Sequence, residues 1–222
     1  MKHWLRANRG FVLFLLCFGI FRTAIADWNP VPSSSMRPTI LEGDVVLVNR
    51  LAYDLKLPLT NLSLARLGEP RRGDIVTFDS PQDGVRLIKR LVALPGDVVE
   101  LRDGVLSING VPAQYSKVHE VLEPVSPGVG LPAVRATERW DDRDHAVQYL
   151  DSLPNRRQAG PLTVPPGHYY MLGDNRDNSG DSRYFGPVPR ALLIARAERV
   201  LVSADITDHW RPRFSRWLAP LL

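Results

Sequence analysis

Arg86-Leu87-Ile88-Lys89-Arg90-Leu91-Val92 reads as a β-strand with a cation on each face. Alternation puts Leu87, Lys89 and Leu91 on one side and Ile88, Arg90 and Val92 on the other. If either face is buried, a lysine there loses hydration and its pKa falls, whereas an arginine stays charged and needs a carboxylate. Lys89 is therefore a candidate neutral amine base and Arg90 a candidate ion-pair partner. The alternative is an edge strand whose lysine blocks aggregation.

Comparable short apolar runs lie outward on both sides, at 44–49, 74–78, 98–102, 105–108, 168–172 and 194–203. Asp103-Gly104 and Asn109-Gly110 have the composition of tight hairpin turns. Helical periodicity is rare in this part of the chain, so the expected fold is mainly β. Between 111 and 165 the strand pattern fades into Pro, charge and Gly, as expected of an inserted cap subdomain or long loops. The reading divides the chain into a leader (1–28), a first part of a β core (29–110), the insertion (111–165) and a second part of the core (166–222). Near the end, Phe214, Trp217, Leu218 and Leu221 follow helical spacing beside Arg211, Arg213 and Arg216. That pattern suits an interfacial helix on anionic lipid or a helix packed on the β body.

The 222 residues are 44% hydrophobic and 23% charged, which excludes a polytopic membrane protein and a disordered chain. The lone cysteine, Cys17, excludes an internal disulfide framework and a multi-cysteine metal site. A net charge of +4 without any run of five basic residues gives no reason to expect a nucleic-acid partner. The composition is uneven, because no Pro, Asp or Glu precedes Asp27. Lys2, Arg6 and Arg9 lead into an apolar stretch from Phe11 to Phe21, followed by Ala24-Ile25-Ala26. A cleavable signal peptide and a retained anchor both fit that leader. Either way the positive charges hold the N-terminus inside and the body crosses to the outside.

Histidine is the usual general base, but none of the five here stands in a metal-ligand spacing, and no Gly-x-Ser-x-Gly elbow occurs. Chemistry in this body needs another base. Pro32-Ser33-Ser34-Ser35-Met36-Arg37-Pro38-Thr39 follows the leader at once and is either a linker or a nucleophile loop. Gly173-Asp174-Asn175-Arg176-Asp177-Asn178-Ser179-Gly180-Asp181-Ser182-Arg183-Tyr184-Phe185-Gly186 fails the calcium-loop template, since Arg176 or Ser182 falls where a ligand or glycine is required. It reads better as a rigid turn whose Asp and Arg residues pair internally, with Ser179 able to orient a lysine amine.

Together with Arg72-Gly73-Asp74-Ile75-Val76 and Lys89-Arg90-Leu91-Val92-Ala93-Leu94-Pro95-Gly96-Asp97, these blocks make the chain resemble the bacterial type I signal peptidases, membrane-anchored serine proteases of the Ser-Lys dyad class. The resemblance implies a signal-peptidase-type β catalytic core with an inserted small subdomain and one N-terminal transmembrane helix. It implies Ser35 as nucleophile, Lys89 as general base, Ser179 as the hydroxyl that positions the lysine, and Ser33 with the Ser35 backbone N–H as oxyanion donors. Arg90 with Asp174, and Asp181 with Arg183, are implied structural ion pairs. Met36, Ile40, Leu87 and Ile88 are the expected lining of pockets for small substrate residues. No metal or cofactor is expected.

The implied partners are secretory preproteins and the lipid bilayer, with the secretion translocon as a neighbour. The implied location is the bacterial inner membrane, single-pass, with the catalytic part outside. Two rival readings remain, a dedicated conjugative-pilin maturation peptidase of the same class and a non-enzymatic anchored β module with an Asp-rich loop. Ser34, Ala93 and Phe185 depart from the family's usual Gly, Gly and Trp, which puts loop geometry and substrate preference in question.

Overall fold

The computed structural model describes residues 4, 8–60, 62–126, 129–141, 143–153 and 156–221. A helix, α1 (Arg9–Ala24), leads directly into β1 (Ala26–Pro30). The strands that follow are β2 (Asp44–Asn49), β3 (Ile75–Asp79), β4 (Arg86–Ala93), β5 (Val98–Arg102), β6 (Val105–Ile108), β7 (Gln114–Ser126), β8 (Val129–Trp140), β9 (Arg143–Tyr149), β10 (Ala159–Thr163), β11 (His168–Leu172) and β12 (Leu193–Asp205). The main antiparallel sheet runs β1-β2-β12-β3-β4-β11 and ends on the short strand Val188–Pro189. The fold is mainly β, as expected.

One apolar cluster joins Val31, Met36 and Ile40 to Val46, Val48, Ile75 and Ile194. Another joins Val76, Phe78 and Leu91 to Tyr169 and Met171. Ile75 and Val76 therefore feed different cores, which is why 75–78 is buried on both faces, Thr77 included. The Asp103-Gly104 and Asn109-Gly110 turns have both residues at positive φ, at 49° and 81° and at 55° and 78°, the geometry that lets two-residue hairpins follow strand twist. The first folds β5 onto β6, the second folds β6 onto the short strand Val111–Pro112, and β10 adds to the outer edge of β5.

Several expectations need correction. Of the two readings of the stretch after residue 111, the long loops give way to a three-stranded sheet, β7-β8-β9, with register shifts between Ser116 and His119 and between Pro124 and Ser126. Its buried positions mix Glu123, Glu138 and Gln148 with Ala133, Ala136 and Val147 and do not alternate strictly along β8 and β9, so neither period nor hydrophobicity marks the strands. The C-terminal segment is not a helix. Phe214–Arg216 forms a single 3₁₀ turn, and beyond it Val200 donates its N–H to Ala219 and Leu221 donates to Glu198, so β12 captures the chain in extended form. The stretch after the leader begins as β1, paired from Ala26↔Asn49 to Pro30↔Val45.

Helix α1 has 16 residues, and among the described residues no helix is long and apolar enough to cross a membrane. Residues 1–3 and 5–7, which include Lys2 and Arg6 of the expected inside-holding charges, lie outside the described residues.

Candidate active site

Three segments converge because the sheet delivers them to one place. β1 ends at Pro30, and Val31 donates its N–H to Asp44, so the 32–39 turn leaves the sheet beside β2. β4 pairs with β3 through Val76↔Lys89 and Ile75↔Arg90. β11 pairs with β4 through Leu172↔Arg90, which releases Gly173 and Asp174 next to the two cations.

At the meeting point Lys89 Nζ donates to Ser35 Oγ over 2.5 Å. Both residues are buried, at 3% and 8% exposure. Ser33 Oγ lies 3.4 Å from Ser35 Oγ. Ser35 and Lys89 both line a cleft of about 210 Å³, together with Asn29, Pro30 and Val31 and with Arg86, Leu87 and Ile88. Of the four expected pocket residues, Leu87 and Ile88 line this cleft. Met36 and Ile40 are fully buried beneath it in the apolar core.

A search of known families matches residues 1–202 to "Signal peptidase, peptidase S26". The chain belongs to the S26 signal peptidase family. Among curated relatives, it is 38% identical to a signal peptidase I of Pseudomonas fluorescens over 82% of this chain and 63% of the relative. It is 35% identical to that of Pseudomonas aeruginosa over 86% and 66%, and 32% identical to that of Buchnera aphidicola from Acyrthosiphon pisum over 95% and 79%. The chain thus spans about two thirds or less of the length of the two Pseudomonas relatives.

Burial lowers the Lys89 amine to about 8, against the opposing pull of Asp181 and Asp174. Those two carboxylates are each already held by an arginine. Asp174 receives Arg90 Nε at 2.8 Å and an Arg90 terminal nitrogen at 2.7 Å, and also the Thr39 hydroxyl at 2.5 Å. Asp181 receives Arg183 through two bonds of 2.8 Å and the Gly173 N–H at 3.0 Å. Lys89 is left with a hydroxyl as its hydrogen-bonding partner at the dyad. Such a lysine can lose its proton near neutral pH and accept one from a serine.

Gly173 has to be glycine, because a Cβ there would come within 2.2 Å of Ser179 Oγ and 2.5 Å of the Ser35 carbonyl oxygen. The same closeness seats Ser179 against the nucleophile turn, where its hydroxyl is buried and makes no hydrogen bond to protein. Ser34 and Ala93 are not among the residues at positive φ, so replacing the family's glycine leaves neither backbone strained. Phe185 packs edge-on against Phe78, with ring centroids 6.3 Å apart.

The expectation that the 173–186 turn pairs internally holds only for Asp181 with Arg183. Its other ions reach outward, Asp174 to Arg90, Arg176 to Glu138 at 2.5 Å, and Asp177 to Arg157 at 2.5 Å. Glu138 is wholly buried and held far below the usual carboxylate range: Arg176 and His145 outweigh a burial penalty that by itself would raise it. Asn175 donates its N–H to the Ser35 carbonyl at 3.1 Å and its amide to the Ser34 carbonyl at 3.1 Å, and Asn178 donates to Ser34 Oγ at 2.9 Å. Sequence reasoning missed Asn175 and Asn178 as contacts of the Ser34–Ser35 turn, and Glu123 and Glu138 as buried charges behind it. The two asparagines lie inside a segment it had singled out, whereas nothing local marks the two glutamates.

Proposed function

We propose that this protein is a membrane-anchored serine endopeptidase that removes signal peptides from translocated preproteins through a Ser35–Lys89 dyad. The observation that carries the reading is a buried lysine, without a carboxylate of its own, 2.5 Å from a serine hydroxyl in a cleft. When Lys89 is neutral, the same contact reverses and the Ser35 hydroxyl donates to Nζ. Ser35 Oγ then attacks the scissile carbonyl while Nζ takes the proton. The developing oxyanion meets the Ser35 N–H and the Ser33 hydroxyl, each donor of this kind being worth about 3–4 kcal/mol in acyl transfer. Protonated Lys89 delivers its proton to the leaving amine, and water assisted by the same amine releases the acyl group. Ser179 is the hydroxyl proposed to steady Lys89 as it cycles between charge states.

An extended substrate fits between 29–32 and 86–88, pairing with strand edges and presenting small side chains to Leu87 and Ile88. Arg90–Asp174 and Asp181–Arg183 serve as structural pairs that hold the 173–186 turn. For the anchor, support comes from α1, whose Phe11, Leu13, Phe14, Leu16 and Phe18 are exposed around the helix, a pattern that asks for an apolar surrounding. Arg22 fastens the helix end by bonding Asp27 at 2.7 Å and lying 4.4 Å from the Trp28 ring centre. Ser35 stands seven residues beyond Trp28, at most about 25 Å of extended chain, within reach of a peptide bond just outside a bilayer.

The decisive experiment incubates detergent-solubilised protein with a preprotein and maps the new N-terminus of the product. Ser35→Ala and Lys89→Ala are each expected to abolish cleavage while the far-UV spectrum stays that of the parent. Cleavage at the parental rate by either variant would remove the dyad from the mechanism.

A further inference from the structure

The inserted sheet reaches the nucleophile through a closed circuit of hydrogen bonds. Arg37, two residues past Ser35 and 5% exposed, donates Nε to Glu42 at 2.6 Å and a terminal nitrogen to Glu123 of β7. Glu123, 2% exposed, also receives Arg135 of β8 at 2.5 Å. Arg135 Nε in turn donates to the Gln148 side chain of β9 at 2.9 Å. The Gln148 backbone brackets Asn175, donating to the Asp174 carbonyl and accepting from the Arg176 N–H, both at 2.8 Å. Asn175 closes the circuit on the Ser34 and Ser35 carbonyls.

The Ser34 carbonyl belongs to the same planar peptide as the Ser35 N–H, so fixing one direction fixes the opposite one. That carbonyl accepts from the Asn175 amide on one arm of the circuit and from the Arg37 N–H, at 3.0 Å, on the other. We propose that Glu123 and Arg37 are positioning residues for the cleavage reaction: the inserted sheet, through them, sets where the Ser35 N–H points in the oxyanion hole. The insertion thereby acquires a role in catalysis without touching substrate. The proposal rests on the dyad reading of the preceding section. A guanidinium suits the task because its rigid fork serves Glu42 and Glu123 at once, which a lysine of equal charge cannot do in the same geometry.

The test compares parent, Ser35→Ala, Glu123→Gln and Arg37→Lys on a preprotein-derived peptide. Active sites are counted from the acyl-enzyme burst with an activated peptide ester, and melting temperature is followed in parallel. For Glu123→Gln and Arg37→Lys the expected result is a kcat per active site lower by about 10- to 100-fold, the scale of loss from small misplacement of reacting groups. KM stays within about twofold, and the pH midpoint of kcat/KM is unmoved because Lys89 lies outside the circuit. A purely structural role predicts a lower melting temperature and fewer active sites at parental kcat per site, and that outcome overturns the proposal. If Glu123→Gln does not fold, Arg37→Lys, which keeps the charge, decides alone. A parent that cleaves no faster than Ser35→Ala overturns the dyad reading and this proposal with it, whereas normal parent cleavage with unchanged kcat per site in Arg37→Lys overturns this proposal only.

Discussion

Lys89 and Arg90 are consecutive residues of one strand, buried alike at 3% and 4% exposure, yet only Arg90 is held firmly as an ion. Arg90 meets Asp174 through two bonds and remains an ion. Lys89 has Asp174 and Asp181 close enough to be felt, but both carboxylates are already bound by arginines, so burial prevails and the amine falls to about 8. The difference teaches that a base here is made less by removing acids from the neighbourhood than by assigning each acid to a stronger, permanently charged partner.

The comparison can be broken most severely by making the two residues alike. Lys89→Arg places a permanent charge against Ser35, and preprotein cleavage is expected to drop by about 10³-fold or more, since a guanidinium does not accept a proton at neutral pH. Product formation measured beside an unchanged far-UV spectrum checks it. Next in size is Asp174→Asn, which leaves Arg90 buried without its carboxylate. Denaturant unfolding is expected to show a loss of about 3–5 kcal/mol, largely recovered in an Arg90→Met/Asp174→Leu double variant.

A milder probe is pH. In the proposed dyad mechanism the neutral amine is the active form, so with the amine at about 8 kcat/KM is expected to climb about tenfold per pH unit below 8 and level off above it. A plateau already reached at pH 6 would mean that Lys89 is not the titrating base. The smallest expected effect is on stability. The folded pKa of about 8 lies below the ordinary 10.5, so between those values the unfolded chain binds more protons and stability rises with pH. Lys89→Met should therefore stabilise the protein at pH 7 by about 2–3 kcal/mol, an advantage that shrinks as pH climbs from 8 to 10.5 and can be followed by thermal melts across that range.

Much of the core was legible without coordinates. The 98–102 and 105–108 hairpin could be read from Asp103-Gly104, because only a few residues tolerate the positive φ that such a turn requires. The Lys89 strand stood out because two cations sat among large apolar residues. The inserted sheet was not legible, for its inward positions include Glu123, Glu138 and Gln148 beside small residues such as Ala133 and Ala136, and a pattern method looks for large apolar side chains there. These groups are tolerable inside only because Arg37 and Arg176 come from elsewhere, and Arg135 from β8 of the same sheet, to meet them. The C-terminal segment misled for a related reason: Phe214, Trp217 and Leu218 have helical spacing, but β12 offered a strand edge that captured Ala219 and Leu221 instead.

What the sequence determined by itself was the list of chemical parts and the elements that carry them: a serine-bearing turn after an apolar leader, a lysine in a strand, and an Asp- and Arg-rich turn after another strand. These follow from local rules, since turn residues, alternation and ordered motifs act over a few positions. Only the tertiary structure decided which charges meet beyond the Arg90–Asp174 and Asp181–Arg183 pairs that the resemblance implied. Arg37 and Glu123 are 86 residues apart and Glu138 and Arg176 are 38 apart. The energy of a buried ion depends on the partner brought within a few ångströms of it, and that distance is a property of the folded sheet.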